Sequence, residues 1–370
     1  MRGSAANDRI PWIAVLLSLS LAAIVLNRWI VTDLGLLSFG RVWHFHVNYF
    51  DFGFTRRALV GTVLTATGAN QISSNAYVAA TIIQHAAILV LVGLLIFGGA
   101  RKNGHPTAMI IALLSPAMLI HRGYTNGSLD VFVLIVAALN CLHVRTLLVF
   151  CALVCAGLLI HELFLFLLPA QILCFALRKG EVIRLTTLFS GTFILPVTTA
   201  TITLSFIHLY GAPDVSEEEF RTALTEAMPA AAEQIPGWSG FGLLAAGQMF
   251  PVNTSIMTPW IVAMMMVPLA YLLLLIAVLL KQVDPASAIW FIAAGFMPLL
   301  ISFIGSDYYR WVGMAANAQI FMILAASRTN GWAPNPYSKY AVAWAVAAPF
   351  GAADLARPFP LHQFVIDQFL

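Results

Sequence analysis

Apolar runs of about twenty residues recur along this sequence, and they constrain the fold more than any other feature. The stretch "TIIQHAAILVLVGLLIFGGA" at 81–100 contains no Asp, Glu, Lys or Arg. Of the 370 residues, 60% are hydrophobic and 9% are charged, whereas a soluble domain carries about 25% charged residues. A soluble globule of this length cannot hide so much apolar surface, and helices satisfy their own backbone hydrogen bonds in lipid. The sequence therefore predicts an all-α, polytopic transmembrane helical bundle.

The apolar runs also predict how many times the chain crosses the membrane. Crossing about 30 Å of hydrocarbon takes about 20 helical residues, so we expect about ten or eleven spans. They cover roughly 11–30, 76–98, 107–121, 129–143, 146–160, 163–178, 185–208, 256–280, 288–305, 311–327 and 339–353. The first run resembles a signal peptide, but Asn27 and Arg28 stand where the small residues of a cleavage site are expected, which favours an anchoring span. Residues 1–370 are predicted to form a single transmembrane domain.

Basic residues are distributed unevenly between the two predicted sides of the membrane. If the N-terminus is cytoplasmic, all four lysines fall in inner segments and most of the acidic residues, including those of "SEEEF" at 216–220, fall outside. The positive-inside rule then predicts an outer loop at about 31–75 and a long outer loop at about 209–255. In the second loop, "SEEEFRTALTEA" predicts a short helix capped by Ser216. We therefore expect a multi-pass membrane protein with a cytoplasmic N-terminus.

The first outer loop concentrates ionisable residues in "HFHVNYFDFGFTRRALVG" at 44–61. The segment 54–68 predicts a short interfacial or re-entrant helix with Arg56 and Arg57 in its first turn. Asp51 can form a salt bridge with either arginine, in which case the stretch is a structural brace. His44 and His46 point the same way in an extended segment, but two histidines alone are a weak metal signal.

Three further outer connections carry ionisable residues beside apolar spans. They are "HRGYTNGSLD" with Arg122, Asn126 and Asp130, "IHELF" with His161 and Glu162, and "GSDYYRW" with Asp307 and Arg310. Charged residues at such depths face a cavity or a partner by default, so four such connections predict one shared polar site. Local alternatives stay open: Asp307 and Arg310 are spaced to pair on one helix face, and His161 and Glu162 would diverge on a helix. "HELFLF" lacks the second histidine of the HExxH zinc motif.

These residue types favour chemistry on a phosphate-linked substrate. Arginine matches phosphate oxygens with paired donors, and a carboxylate can deprotonate a hydroxyl as general base. The candidate catalytic residues are Asp51, Glu162 and His161. The candidate substrate-binding residues are Arg56, Arg57, Arg122, Arg310, Asp307, His46, Asn126 and Asp130. No metal-ligand set is evident, although Asp51 could instead position a divalent cation such as Mg²⁺ or Mn²⁺.

The chain resembles the C-type (GT-C) membrane glycosyltransferases in the pattern "DFGFTRRALVG", then "HE" near mid-chain, then "DYYRW". It is similar, too, to bacterial membrane proteins of surface-polysaccharide assembly. The resemblance implies a polyprenyl-phosphate-linked sugar donor, a glycan, lipid or protein acceptor, and an essential acidic residue in the first outer loop, here Asp51. Asp51 is followed by Phe52 where many members have a second acidic residue, and only the tail "ARPFPLHQFVIDQFL" follows the last predicted span.

Other functions remain compatible with the same residues. A polysaccharide polymerase or ligase of the same pathway also relies on outer-loop arginines. An anion or proton-coupled transporter would use intramembrane Arg and Asp as an ion path, although no inverted repeat is evident. An acyltransferase with His161 as base has only that histidine in its favour. Membrane lipids are expected partners in every case, and the net charge of +3 does not argue for nucleic acid.

Overall fold

A computed structural model describes residues 42–99, 105–120, 128–229, 241, 244, 259–303, 308–333 and 335–347. Every regular element in these ranges is helical and none is a strand, which confirms the predicted all-α class. The predicted first span, 11–30, and most of the second half of the long loop 209–255 lie outside the described residues.

The described ranges contain thirteen α-helices, joined in places by shorter helical turns. They are α1 (Tyr49–Phe52), α2 (Leu59–Thr67), α3 (Ala76–Gly99), α4 (Pro106–Leu114), α5 (Asp130–Ala138), α6 (Leu147–Ile160), α7 (Phe164–Arg178), α8 (Gly191–Tyr210), α9 (Glu217–Ala227), α10 (Pro259–Leu280), α11 (Ala288–Phe296), α12 (Tyr308–Asn330) and α13 (Pro336–Ala347). Wide, π-helical turns follow α4 at Pro116–Ile120 and α5 at Leu139–His143. Tight 3-10 turns precede α8 and α11 and follow α11.

Two of these helices, α3 and α8, are long and apolar enough to cross a membrane. On α8, large apolar side chains such as Leu195, Ile202 and Leu209 are exposed. Exposed apolar surface of this extent marks a contact with lipid or with another protein. The composition and these two helices together indicate association with a membrane.

The helix α12 forms the centre of the bundle. Every side chain from Trp311 to Ser327 is buried, so the helix is enclosed on all sides. It packs most extensively against α7 and α10. Most of its buried side chains are apolar, and the buried polar exceptions include Asn317 and Gln319.

The segment before α2 folds against the end of α8. The Arg56 amide donates to the Gly211 carbonyl (3.2 Å), and the Asp214 amide donates to the Phe52 carbonyl (3.0 Å). The helix predicted at 54–68 begins only at Leu59, so the expectation that Arg56 and Arg57 lie in its first turn is wrong. The reason is the backbone: Arg57 has φ 64°, which interrupts a right-handed helix.

The short helix predicted in the long outer loop is confirmed as α9. The Ser216 hydroxyl accepts from the Glu219 amide, and the Glu219 carboxylate accepts from the Ser216 amide, which completes a capping box. The centroid of the Phe220 ring of α9 lies 4.8 Å from that of Phe52 in α1, so α9 packs against the segment that contains α1.

Candidate functional site

The connection between α6 and α7 carries the acidic centre of the candidate site. α6 ends at Ile160, and His161 has an extended backbone (φ −165°, ψ 133°) before α7 begins at Phe164. Arg57 Nε donates to Glu162 Oε2 at 2.9 Å, and Arg56 Nη1 lies 4.0 Å from Glu162 Oε1. Ion pairs thereby join the segment before α2 to the α6–α7 connection.

A second ion pair extends the site to α5 and α12. Arg310 Nε donates to Asp130 Oδ2 at 2.8 Å, and Arg310 Nη2 pairs with the other carboxylate oxygen. Such bidentate pairs are strong and directional. Arg310 Nη2 also lies 3.4 Å from His161 Nε2, and His161 Nδ1 lies 3.2 Å from Glu162 Oε2. We call Arg56, Arg57, Asp130, His161, Glu162 and Arg310 the charged network.

The network sets the protonation of its two central residues, which lie outside both helices. Burial lowers the pKa of His161 to about 4, with Arg57 acting in the same direction, so the ring is neutral at pH 7. Burial opposes ionisation of Glu162, but Arg57 and His161 outweigh it and hold the pKa of that carboxyl well below its usual range. The Leu163 amide donates to His161 Nδ1 at 3.2 Å, so the start of α7 helps to hold the ring in place.

Two buried polar atoms of the network or next to it in the chain have no hydrogen-bond partner among the described residues. They are Thr55 Oγ1, on the residue before Arg56, and Glu162 Oε1, whose nearest cation, Arg56 Nη1, is 4.0 Å away. A buried polar atom without a partner is costly, so it calls for a bound water or ligand. The three guanidinium groups and two carboxylates of the network have charges that sum to +1. The arrangement can hold an anion together with hydroxyl groups.

The predicted site residues fall into three groups. The structure brings together Arg56, Arg57, Asp130, His161, Glu162 and Arg310. Asp51 and His46 form no hydrogen bond or salt bridge with these six residues. Arg122, Asn126 and Asp307 are outside the described residues.

Asp51 is exposed in α1, and its Oδ2 accepts from Asn48 Nδ2 at 2.7 Å. It forms no salt bridge within the described ranges, so the predicted brace with Arg56 or Arg57 is wrong: Glu162 takes that place. His46 is buried, and burial lowers its pKa to about 4. Its carbonyl accepts from the same Asn48 amide at 3.1 Å.

The expectation that His161 and Glu162 diverge is also wrong. It assumed a helix, whereas both residues lie in a non-helical connection that lets their side chains meet. Arg310 pairs with Asp130, while Asp307, its alternative partner in sequence, lies outside the described residues.

Asn48 is a functional candidate that the sequence analysis missed. Its side chain accepts from the amides of Phe50 and Asp51, which caps α1, and it also donates to the Asp51 carboxylate. This arrangement fixes the orientation of Asp51. The signal was present in the sequence, because an Asn three residues before an Asp is typical of a helix start.

In the described part of the chain, no group of three His, Cys, Asp or Glu side chains is arranged so that it could hold a metal ion. In the network, both carboxylates are already held by arginines, which does not fit Mg²⁺ or Mn²⁺.

Comparisons with protein-family models, with curated proteins and with solved structures found no match to this chain.

Proposed function

We propose that this chain is a multi-pass membrane glycosyltransferase that moves a sugar from a polyprenyl-phosphate-linked donor to a glycan, lipid or protein acceptor. The observation that carries this proposal is the charged network, in which the adjacent Arg56 and Arg57 meet Arg310 from a distant part of the chain, next to the buried Thr55 hydroxyl and Glu162 Oε1. A sugar phosphate offers the matching chemistry, a negative group and several hydroxyls.

We infer that the reaction takes place on the extracytoplasmic face of a bacterial inner membrane crossed about ten or eleven times. The positive-inside distribution supports this orientation. The geometry of α12 supports a full crossing: Arg310 and Arg328 lie five helical turns apart on one face, which is about 27 Å and close to the hydrocarbon thickness.

In this proposal the arginines bind the donor phosphate. Arg56 and Arg57 approach from the first outer loop and Arg310 from α12, so the phosphate would lie between them. Its oxygens would replace some of the contacts that the arginines make with Glu162 and Asp130. As the bond between sugar and phosphate breaks, negative charge grows on the leaving phosphate. Fixed guanidinium groups stabilise that charge more in the transition state than in the ground state.

Asp51 is the better general base of the two candidate carboxylates. Its side chain is exposed and oriented by Asn48, so an acceptor hydroxyl can reach it. Glu162 is held by Arg57 and has a lowered pKa, which makes it a weak base. Glu162 and His161 instead position Arg57 and Arg310. A polysaccharide polymerase or ligase would use the same network with a longer acceptor.

An anion transporter is the second candidate, and one observation favours it. Asn317 lies about two turns along α12 from Arg310 and is fully buried, and neither of its amide atoms has a hydrogen-bond partner among the described residues. A polar group in this position can line a path for an ion through the bundle.

One experiment separates the two functions. The purified protein is analysed by mass spectrometry for co-purified lipid and is then assayed in proteoliposomes for sugar transfer and for anion flux. We expect a bound polyprenyl-phosphate sugar and transfer to an added acceptor, both without flux. Flux that Asn317→Leu abolishes, with no polyprenyl lipid and no transfer, would replace the glycosyltransferase with the transporter.

A further inference from the structure

A cavity of about 510 Å³ lies at the C-terminal ends of α7 and α12. The charged network lies at the opposite end of α12, where Arg310 is. Four of its lining side chains are basic, and none of the described lining residues is acidic. The lining consists of Val144, Arg145, Phe175, Arg178, Lys179, Arg328 and Thr329. Like charges gathered around one cavity repel each other, so an anion bound between them would be stabilised.

Two of the basic side chains are held in place by backbone carbonyls. Arg178 Nη2 donates to the Asn140 carbonyl at 2.7 Å, and Arg328 donates to the Leu142 carbonyl. Both carbonyls belong to the π-helical turn Leu139–His143 that ends the α5 segment. Arg178 and Lys179 both lie over the Phe175 ring in cation–π contacts, with Lys179 Nζ 5.4 Å from the ring centroid. The cations are thus ordered by the fold around the cavity.

The positive-inside rule explains why basic residues are numerous on this predicted side, but it does not explain why they converge. Lys281 and Lys339 belong to the same predicted side and do not line the cavity. The convergence needs α7, α12 and the turn after α5 to meet, and the carbonyl contacts fix it. A ligand-binding site accounts for this convergence better than the positive-inside rule alone.

We propose that this cavity binds a phosphate-bearing anion, either the headgroup of an anionic phospholipid or a soluble phosphorylated molecule. Its volume lies in the range of small-ligand pockets. Basic pockets between helices are suited to phosphorylated headgroups, because each Lys or Arg near the surface adds to the attraction. The site is separate from the proposed glycosyl transfer, since Arg328 and Arg310 lie about 27 Å apart on α12.

The test uses two double variants of the full chain. Arg145→Gln with Lys179→Gln removes two exposed cavity charges and leaves the carbonyl-bound Arg178 and Arg328 intact. Lys281→Gln with Lys339→Gln removes two exposed charges outside the cavity and serves as the matched control. Each protein is placed in nanodiscs of phosphatidylcholine with or without phosphatidylglycerol, and retained lipid is counted by native mass spectrometry. Thermal shifts with inorganic phosphate and pyrophosphate probe a soluble ligand.

We expect the cavity variant to bind the preferred anion about 25-fold more weakly, equivalent to about 2 kcal/mol for two cations, while the control binds like the parental chain. Selective retention of phosphatidylglycerol identifies a lipid headgroup, and a phosphate or pyrophosphate shift identifies a soluble ligand. Equal losses in both variants, or no binding of either anion by the parental chain, would overturn the proposal. Because neither readout uses sugar transfer, failure of the proposed function leaves this test unaffected.

Discussion

Asp51 has the accessibility that a general base needs, with its carboxylate exposed and held by Asn48. Asp51→Asn keeps the shape of the side chain and removes its proton acceptor. We expect turnover in the glycosyl-transfer assay to fall by roughly 10²–10⁴, with thermal stability changed by less than about 0.5 kcal/mol. Glu218→Gln, at an exposed position of α9, is the control and should keep parental turnover. A folded Asp51→Asn protein with parental turnover would exclude Asp51 as the base.

Glu162 has a structural role that its own variant can reveal. Glu162→Gln leaves Arg57 without its carboxylate in a partly buried position. We expect a loss of about 2–4 kcal/mol, somewhat below the range for a fully buried pair because the carboxylate side chain is 27% exposed. Unfolding in detergent measures this loss.

The matched control is Glu217→Gln, which breaks the exposed Glu217–Arg221 pair on α9 and should cost less than about 1 kcal/mol. Similar losses in the two variants would show that the charged network contributes no more than a surface pair.

The two buried histidines predict how stability depends on pH. His46 and His161 each have a folded-state pKa of about 4, below the ordinary 6.5. Between those values the unfolded chain binds more protons, so stability is fully present above pH 6.5 and falls as the pH drops toward 4. The slope is up to about 1.4 kcal/mol per pH unit for each histidine. Thermal unfolding at pH 7.5, 6 and 5 should show the decline.

Two variants test how much His161 contributes to this decline in stability. His161→Asn should make the pH dependence shallower, whereas His208→Asn, at an exposed position of α8, should leave it as in the parental chain. Parallel curves for all three proteins would contradict the assignment to His161.

At the scale of elements, the turn before α2 is the strained one. Arg57 has φ 64° and is the one non-glycine residue with positive φ in the described ranges. Such strain is retained where the surroundings hold it, here the pair with Glu162. Arg57→Gly and Arg57→Ala both lose that pair, but we expect the Gly variant to be the more stable by about 1–2 kcal/mol.

The same substitutions at Arg221, inside α9, give the control. There, Ala should be more stable than Gly by about 1 kcal/mol, because the residue is in a right-handed helix. Chemical denaturation of the four variants measures both differences. If Ala is also the more stable at position 57, the left-handed backbone does not persist in solution.

At the scale of the whole molecule, orientation is the property on which the proposed function depends. Lys281 is exposed at the end of α10 on the predicted cytoplasmic side, and Glu218 is exposed in α9 on the predicted outer side. Single cysteines at these positions should react with a membrane-impermeant maleimide from opposite sides of sealed vesicles. The parental chain gives the background from its own four cysteines. Labelling of both positions from one side would contradict the predicted topology, and the proposed location of the site with it.

Local properties of the sequence determined the helical class and many helix bounds. The run predicted at 76–98 is the helix Ala76–Gly99, and the run at 146–160 is the helix Leu147–Ile160. The Ser216 cap was also predictable, since capping involves residues three positions apart. Apolar length and capping act between near neighbours, so the sequence carries them directly.

Only the tertiary structure decided which charges meet. Glu162 pairs with Arg57 across 105 positions, and Asp130 pairs with Arg310 across 180 positions. For Arg57 the sequence offered a nearer partner, Asp51. That neighbour was a poor guide because an ion pair depends on where helices pack and on the backbone that aims each side chain. The left-handed turn at Arg57 and the extended backbone at His161 place the network, and neither conformation follows from the local residue pattern.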